Sequence, residues 1–401
     1  MIQLSICLPT RNRQSYCIET IRAIAASERQ DFEVLVGDNS DDGTTLANFF
    51  ATELKDDPRF KLTGPEQSVL PMVDNWERLV ELAQGRWIAV IGDDDYIDPK
   101  LTLLLKHYER LYPEVESVSW ARMHFNWPDN RPVPALSTIP VSHDTYIAVK
   151  SRLQDQLYRW TERRRVPAGG FGAYHGAVRK SLMERIKRKF GGRYFEHPVV
   201  DFESVCKTIK EAKMLVHCQR PFSVLGAGAA SNSAGTQSQK VLVERARTFK
   251  QETAGKVDMD DPVFPFPISD KGAALSASIA STTYWFCRTY DIDLTGFAEN
   301  FAQAAADELR FTRNETDYQA KKTFFERGFE VWDGGKWRHL FKPGVYLPNI
   351  SFNELTGVIK DTLHVREAAV PAQTPAEFYR FAEHTILPVE HVASGARAFA
   401  R

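Results

Sequence analysis

Short apolar runs alternate with amphipathic stripes from Met1 to Glu116, and that alternation leaves few folds open to the chain. Leu4–Leu8 stops at Pro9, and Phe32–Val36, Phe60–Leu62 and Trp87–Ile91 follow, each the length of a strand and apolar enough to be buried on both faces. Between them Cys17, Ile21 and Ile24, then Leu46, Phe49, Phe50 and Leu54, then Val73, Trp76, Val80 and Ala83 recur at helical spacing. Asp98-Pro99 supplies a cap and a first-turn proline for a helix carrying Leu101, Leu104, Leu105, Tyr108 and Leu111. Strands separated by helices of this length define an α/β fold, a mainly parallel sheet flanked by helices and joined by right-handed crossovers. Ligands of such sheets lie at the carboxyl ends of the strands, so the loops Pro9–Gln14, Gly37–Thr44 and Gly92–Asp98 are where chemistry is expected.

Val115–Phe125 reads as a further strand, and Trp127–Ser142 as a proline-rich loop or irregular hairpin. Leu153, Leu157 and Trp160 mark a helix leading to Arg163-Arg164-Arg165, a solvated helix end. Ala168–Val178 is glycine-rich and then strand-like, Phe202, Val205 and Ile209 predict a helix beginning at Asp201, and Met214–Cys218 is another strand. After the small-residue stretch Gly226–Gly235 the pattern turns helical, with Leu275, Ile279, Thr282 and Phe286 and then Phe297, Phe301, Ala305 and Leu309 in register. The 401 residues exceed the roughly 250–300 at which a single core stops growing. Two units are therefore expected, residues 1–235 and a mainly helical 236–401 with a partly irregular tail from about residue 365.

A net charge of −1, with 26% charged residues, gives no global field that would favour nucleic acid or an anionic membrane. The cysteines Cys7, Cys17, Cys206, Cys218 and Cys287 are scattered, without zinc-knuckle spacing, as expected of reduced thiols in a cytoplasmic protein. Leu4–Leu8 is too short and wrongly flanked for a signal peptide, and no stretch reaches the roughly 18 apolar residues of a membrane span. A lipid-linked substrate would then be met by peripheral membrane contact.

The sharpest chemical signal is Gly92-Asp93-Asp94-Asp95, which closes the most apolar strand. Carboxylates this close repel and raise one another's pKa unless a cation neutralises them. Oxygen ligands from one loop suit Mg²⁺ or Mn²⁺, which take one or two carboxylates together with substrate phosphates. Asp93, Asp94 and Asp95 are all candidate metal ligands; the plainer reading is an acidic turn with a helix cap. At the end of the second strand, Asp38 is placed to accept hydrogen bonds from a base or ribose, whereas Asp41-Asp42-Gly43 is turn chemistry and Thr44 suits a helix cap. Pro9, Thr10, Arg11 and Arg13 bring backbone amides and two arginines suited to a diphosphate.

In this order, at successive strand ends, Cys7-Leu8-Pro9-Thr10-Arg11-Asn12-Arg13, Asp38-Asn39-Ser40-Asp41-Asp42-Gly43-Thr44, Asn75 with Gly85-Arg86-Trp87-Ile88-Ala89, and Gly92-Asp93-Asp94-Asp95 with Tyr96, Asp98 and Pro99 resemble the family 2 glycosyltransferases of GT-A fold. The first aspartate of the family's D-x-D motif falls on Gly92, so the resemblance puts Asp93 on the ribose or donor sugar and Asp94 on the metal, with Asp95 able to replace either. It implies a nucleotide-sugar donor, a UDP-sugar above others, held also by Asn75, and inversion at the anomeric carbon by single displacement. The acceptor it implies is a glycan, lipid-linked or protein-linked hydroxyl in surface polysaccharide or glycan biosynthesis. The family's acceptor-side acidic motif is matched by Val199-Val200-Asp201-Phe202-Glu203, which makes Asp201 the candidate general base, with Glu203 as the alternative in the same helical turn.

Fainter signals complete the reading. His175 is a candidate acceptor contact, a structural histidine being the plainer reading, and Gly169-Gly170 is expected to let the backbone approach the sugar. Ser231-Asn232-Ser233 is a candidate diphosphate contact, and Trp332-Asp333-Gly334-Gly335-Lys336-Trp337 either stacks on sugars or anchors one unit on the other. The helical C-terminal part is a candidate for acceptor binding, partner binding or homo-oligomer formation. A dehydrogenase would need a glycine-rich loop after the first strand and an aspartate phosphatase an aspartate pair there; Pro9-Thr10-Arg11 has neither. The competing reading is a non-catalytic nucleotide- or sugar-binding module on the same fold, against which stand the aspartate triplet and Asp201.

Overall fold

The computed structural model describes residues 1–66, 68–128, 136–167, 170–228, 260–261, 263–270, 272–312, 314–348, 356–366 and 369–393. Its centre is β1 (Leu4–Thr10), buried along its whole length, with parallel neighbours β2 (Phe32–Asp38) on one side and β4 (Trp87–Val90) on the other. β3 (Phe60–Thr63) extends the parallel set beyond β2. Past β4 the sheet becomes mixed. β9 (Gly176–Arg179) runs antiparallel to both β4 and β6 (Val115–Asn126), so the path reads β3-β2-β1-β4-β9-β6.

The pleat of β1 explains why its sequence is a continuous apolar run. Leu4, Ile6 and Leu8 point into one core, packed under α1 (Gln14–Ala25), α2 (Thr44–Glu53) and α4 (Leu101–Leu111), while Cys7 points into a second core under α3 (Met72–Leu82), α6 (Lys180–Lys189) and α7 (Val200–Glu211). All five cysteines are buried free thiols in these interiors.

The long strand β10 (Met214–Ala227), expected only over Met214–Cys218, runs parallel to β6 with a register shift between Cys218 and Ser223. Its second half carries the short strand β5 (Tyr96–Ile97), and its first half carries β8 (Thr145–Ile147). Within the segment read as a loop or irregular hairpin, Leu136–Pro140 forms β7, antiparallel to β6.

Several local expectations shift. Trp160 lies beyond the end of α5 (Lys150–Tyr158), at φ +54°, and packs in a third core instead of on the helix's own stripe. α7 begins at Val200, so Asp201 sits in its first turn and is not its cap. Thr44 is capped more than it caps: Asp42 accepts from its backbone N–H at 2.9 Å and its hydroxyl at 2.6 Å. The third core is the expected helical region, built by α8 (Leu275–Thr289), α9 (Phe297–Glu308) and α10 (Glu315–Val331) around Phe264, Phe266, Phe301, Phe329 and Trp332. It ends near Phe341. The chain then returns to the first unit: β11 (Gly357–Ile359) and β12 (Thr362–Arg366) join the sheet through β7, and α11 (Pro375–Ala382) and α12 (Val389–Ala393) bury Phe378, Tyr379 and Val389 in the first core. The described residues 356–366 and 369–393 thus pack on the sheet and core of the first unit, and the segment from about residue 365, expected to be partly irregular, contains α11 and α12.

Candidate active site

The carboxyl ends of β1, β2 and β4 meet at one edge of the sheet, where Thr10 is in register with Asp38. The first loop is folded back on the second. Asn12, at φ +54°, places its N–H on Ser40 Oγ at 2.8 Å, and its side chain exchanges hydrogen bonds with Asp41. Arg11 Nη1 donates to Asn39 O at 2.6 Å and to Asp41 at 3.2 Å, so this arginine braces the second loop. Pro9 is buried opposite Gly37.

Arg13 turns the other way. Its Nη2 lies 2.7 Å from Asp93 Oδ1, its Nε donates to Asp93 Oδ2 at 3.1 Å, and its Nη1 is 3.5 Å from Asp94 Oδ2. Thr10 Oγ1 adds a hydrogen bond to Asp93 Oδ2 at 2.7 Å. Burial pushes the Asp93 carboxyl up to about 7, with Arg13 pulling against it. Thr10, Arg13, Asp93 and Asp94 thus form one cluster in which a single guanidinium faces two carboxylates.

Asp95 has a different task. Its Oδ2 accepts from Gly92 N at 2.8 Å, from Tyr174 OH at 3.0 Å and from His175 Nε2 at 2.9 Å, and its Oδ1 accepts from Gly226 N at 2.8 Å. Although burial works to raise it, pairing with His175 and these hydrogen bonds hold the carboxyl below its usual range. With both oxygens engaged, Asp95 braces the loop. His175 is 1% exposed, at φ +48°, and its Nδ1 is 2.8 Å from Ser223 Oγ. It is a buried strut between loop and β10, not a group facing the acceptor.

The loop backbone is held as closely. Thr20 Oγ1 donates to Asp95 O at 2.7 Å and Trp127 Nε1 donates to Asp94 O at 2.9 Å. Gly226 passes so near that a Cβ there would fall 1.8 Å from Asp94 O, which explains the glycine.

Asp38 is fully buried at the end of β2. Its Oδ1 accepts from Ser40 N at 2.9 Å, and its Oδ2 has no hydrogen-bond partner. Asn75 does not open onto a ligand: its Nδ2 donates to Gly37 O at 3.3 Å and its Oδ1 accepts from Arg78 Nε at 2.8 Å. Arg78, one turn on along the same face, also donates to Asp38 O at 2.8 Å, a support that its spacing from Asn75 would have suggested.

Asp201 stands on α7, whose first turn packs against the segment from Phe171 to His175; a Cβ on Gly172 would meet Ser204 Oγ at 2.6 Å. That segment is tied to the end of β4 by Val90 N to Ala173 O at 2.7 Å and His175 N to Val90 O at 3.1 Å. Tyr174, between them, feels the charges of Asp95, Asp94 and Asp201 together. Burial raises the Asp201 carboxyl above its usual range, partly offset by Arg122 on β6. Glu203, in the same helical turn, faces Lys207 instead. It is fully buried and lies 2.6 Å from Lys207 Nζ, which also reaches Glu196 at 2.5 Å. Gly170, at φ +117°, lies near Ser119, whereas Gly169 and Ser231-Asn232-Ser233 fall outside the described residues. Trp332 is buried in the third core and Trp337 packs 6.3 Å from it, so this turn anchors aromatic packing.

Residues 5–172 match the family model described as glycosyl transferase family 2, which spans all three loops. Over this segment the chain is similar to glycosyl transferase family 2. Among solved structures the chain is similar to S. aureus TarS 1-349 in complex with UDP-GlcNAc, at 14% identity over 85% of this chain and 90% of that one, with a TM-score of 0.46. It is also similar to the structure titled S. aureus TarS, at 14% identity over 89% of this chain and 57% of that one, with a TM-score of 0.43. No curated protein matches. The sheet is mixed and mainly parallel, as expected, with a helical region appended. Among the described residues no helix is long and apolar enough to cross a membrane, and no three His, Cys, Asp or Glu side chains converge as a ready-made metal site.

Proposed function

We propose that this glycosyltransferase moves a sugar, with inversion, from a nucleotide-diphosphate donor to a hydroxyl of a glycan, lipid-linked or protein-linked acceptor in surface polysaccharide or glycan biosynthesis. The observation that carries the reading is the meeting, at one sheet edge, of the unpartnered buried Asp38 Oδ2 with the Thr10–Arg13–Asp93–Asp94 cluster. A buried acceptor lacking a donor is costly, and a base N–H or ribose hydroxyl would satisfy it. Arg13 can then share its charge between the carboxylates and the diphosphate. The family resemblance favours a UDP-sugar.

A carboxylate beside phosphate oxygens is a donor set that Mg²⁺ or Mn²⁺ accepts, so Asp94 would hold the ion, with Asp93 kept beside it by Thr10 and Arg13. Bound there, the ion would neutralise charge on the departing nucleoside diphosphate. Asp201 takes the proton from the acceptor hydroxyl as the new glycosidic bond forms and the diphosphate leaves from the opposite face. We place the reaction in the cytoplasm, with peripheral contact where the acceptor is lipid-linked.

Calorimetry with UDP and GDP, each with and without Mn²⁺, followed by hydrolysis assays across a panel of nucleotide sugars, tests this. Metal-dependent nucleotide binding with turnover of one donor is expected. Binding of a glycan alone, with no nucleotide binding, would establish the sugar-binding module instead.

A further inference from the structure

The C-terminal helices return to the catalytic sheet at the residues that follow the aspartate loop. Tyr379, on α11, is buried, and its hydroxyl donates to Asp98 Oδ2 at 3.0 Å. Arg220 Nη1 donates to the same hydroxyl at 3.2 Å, and Arg220 Nε donates to Leu387 O at 2.6 Å, so one guanidinium holds both α11 and the turn after it. Arg220 is only 2% exposed and lies 4.4 Å over the ring of Phe222. Rings reinforce the contact: Tyr379 packs on Tyr96 at 5.3 Å and Phe378 stacks on Phe125 at 5.2 Å.

Tyr96 and Asp98 bracket Ile97 on β5, directly after Asp95. Asp98 N donates to Phe222 O at 2.9 Å, and the same strand supplies Gly226 N to Asp95 and Ser223 Oγ to His175. The loop is therefore gripped at both ends of β5, once by β10 and once by a helix from the far end of the chain. A loop carrying three buried carboxylates needs such restraint, because their mutual repulsion favours opening.

We infer that Tyr379 is a positioning residue for glycosyl transfer: through Asp98 it fixes β5, and through β5 it fixes Asp93 and Asp94 against the donor. This rests on reading the Gly92–Asp95 loop as the donor side of the site. The hydroxyl is the informative group, since Tyr379→Phe keeps the ring on Tyr96 and removes the link between Arg220 and Asp98 together with a long bond to Pro221 O at 3.5 Å.

The full-length protein, its Tyr379→Phe variant and a Phe378→Leu control separate positioning from plain stability. Amide exchange over residues 92–98, measured without ligand, should speed up about tenfold in Tyr379→Phe, as a shift of about 1.4 kcal/mol in loop opening requires. The KM for the donor identified in the panel, and the Mn²⁺ concentration giving half-maximal rate, should each rise about tenfold with kcat changed less. Phe378→Leu, which loosens the same helix without touching Asp98, should lower the melting temperature and leave donor KM unchanged. Unchanged exchange over 92–98 overturns the inference, and so does a donor KM that is unchanged or that rises equally in both variants. If the wild-type protein uses no nucleotide sugar, the exchange result still decides whether Tyr379 holds the loop, and the failure belongs to the donor reading.

Discussion

Replacing Glu203 by glutamine should stabilise the protein at pH 8, although it removes one partner of a buried ion pair. Glu203 is fully buried, its Oε1 is 2.6 Å from Lys207 Nζ, and its Oε2 accepts only a long bond from Glu196 N at 3.3 Å. Burial outweighs the attraction of Lys207 and pushes the carboxyl from 4.5 up to about 7. Holding it at about 7 rather than 4.5 corresponds to about 3 kcal/mol of native preference for the neutral form. Since the folded state binds the proton more tightly than the unfolded state, unfolding free energy falls as pH rises between those two values. Below about pH 4.5 the carboxyl is neutral in both states, and glutamine, its neutral isostere, should be nearly silent. Above about pH 7 glutamine avoids the ionisation cost and should gain up to about 3 kcal/mol. Lys207 keeps Glu196 at 2.5 Å and Tyr194 O at 3.0 Å, so its charge is not stranded.

Urea unfolding of wild type and Glu203→Gln at pH 5 and pH 8 measures the difference directly. A variant less stable than wild type at pH 8, by the roughly 1.5–3 kcal/mol of a lost charge-assisted hydrogen bond, would mean that pairing with Lys207 dominates and the reasoning fails. The same variant tests the site. Glu203 is fully buried against Lys207, so transfer at pH 8 should stay within about tenfold of wild type. A loss of the ~10²–10⁴ that a general base supplies would transfer that role to Glu203.

Asp201→Asn should lose ~10²–10⁴ in kcat while still binding nucleotide, measured by transfer assay and calorimetry. Because the Asp201 carboxyl is raised, the acid limb of kcat/KM should lie above the ordinary carboxylate value of about 3.9, and Arg122→Ala, which removes the charge holding it down, should move that limb higher still. Asp94→Ala should abolish Mn²⁺-dependent nucleotide binding and turnover, whereas binding that stays metal-dependent would put the ion elsewhere. Trp332→Ala should cost about 3–5 kcal/mol in urea unfolding, because the indole sits in the third core, 3% exposed.

What the sequence made legible was local. A strand buried on both faces announces itself as an apolar run, as Leu4–Leu8 does, and a carboxylate at its end is conspicuous because little else polar lies near it. The loops that meet at the sheet edge, and their similarity to glycosyl transferase family 2, follow from such short-range signals. The division of labour inside Gly92–Asp95 does not. Asp93, Asp94 and Asp95 look alike as letters, and what separates them is contacts with Arg13, 80 positions before Asp93, and with His175, 80 positions after Asp95. His175 is ambiguous for the same reason: a lone histidine in a strand-like segment reads either as structural or as an acceptor contact until Asp95 and Ser223 are found on either side of it. The link from Tyr379 to Asp98 spans 281 positions, and its side chain lies on an ordinary amphipathic helix whose pattern says only that one face is buried. Periodicity tells which face of an element is inside; it carries nothing about which distant carboxylate that face meets. Residues that position a reactive loop without touching substrate therefore belong to tertiary structure, and here they include the last helices of the chain as well as the strands that display the aspartates.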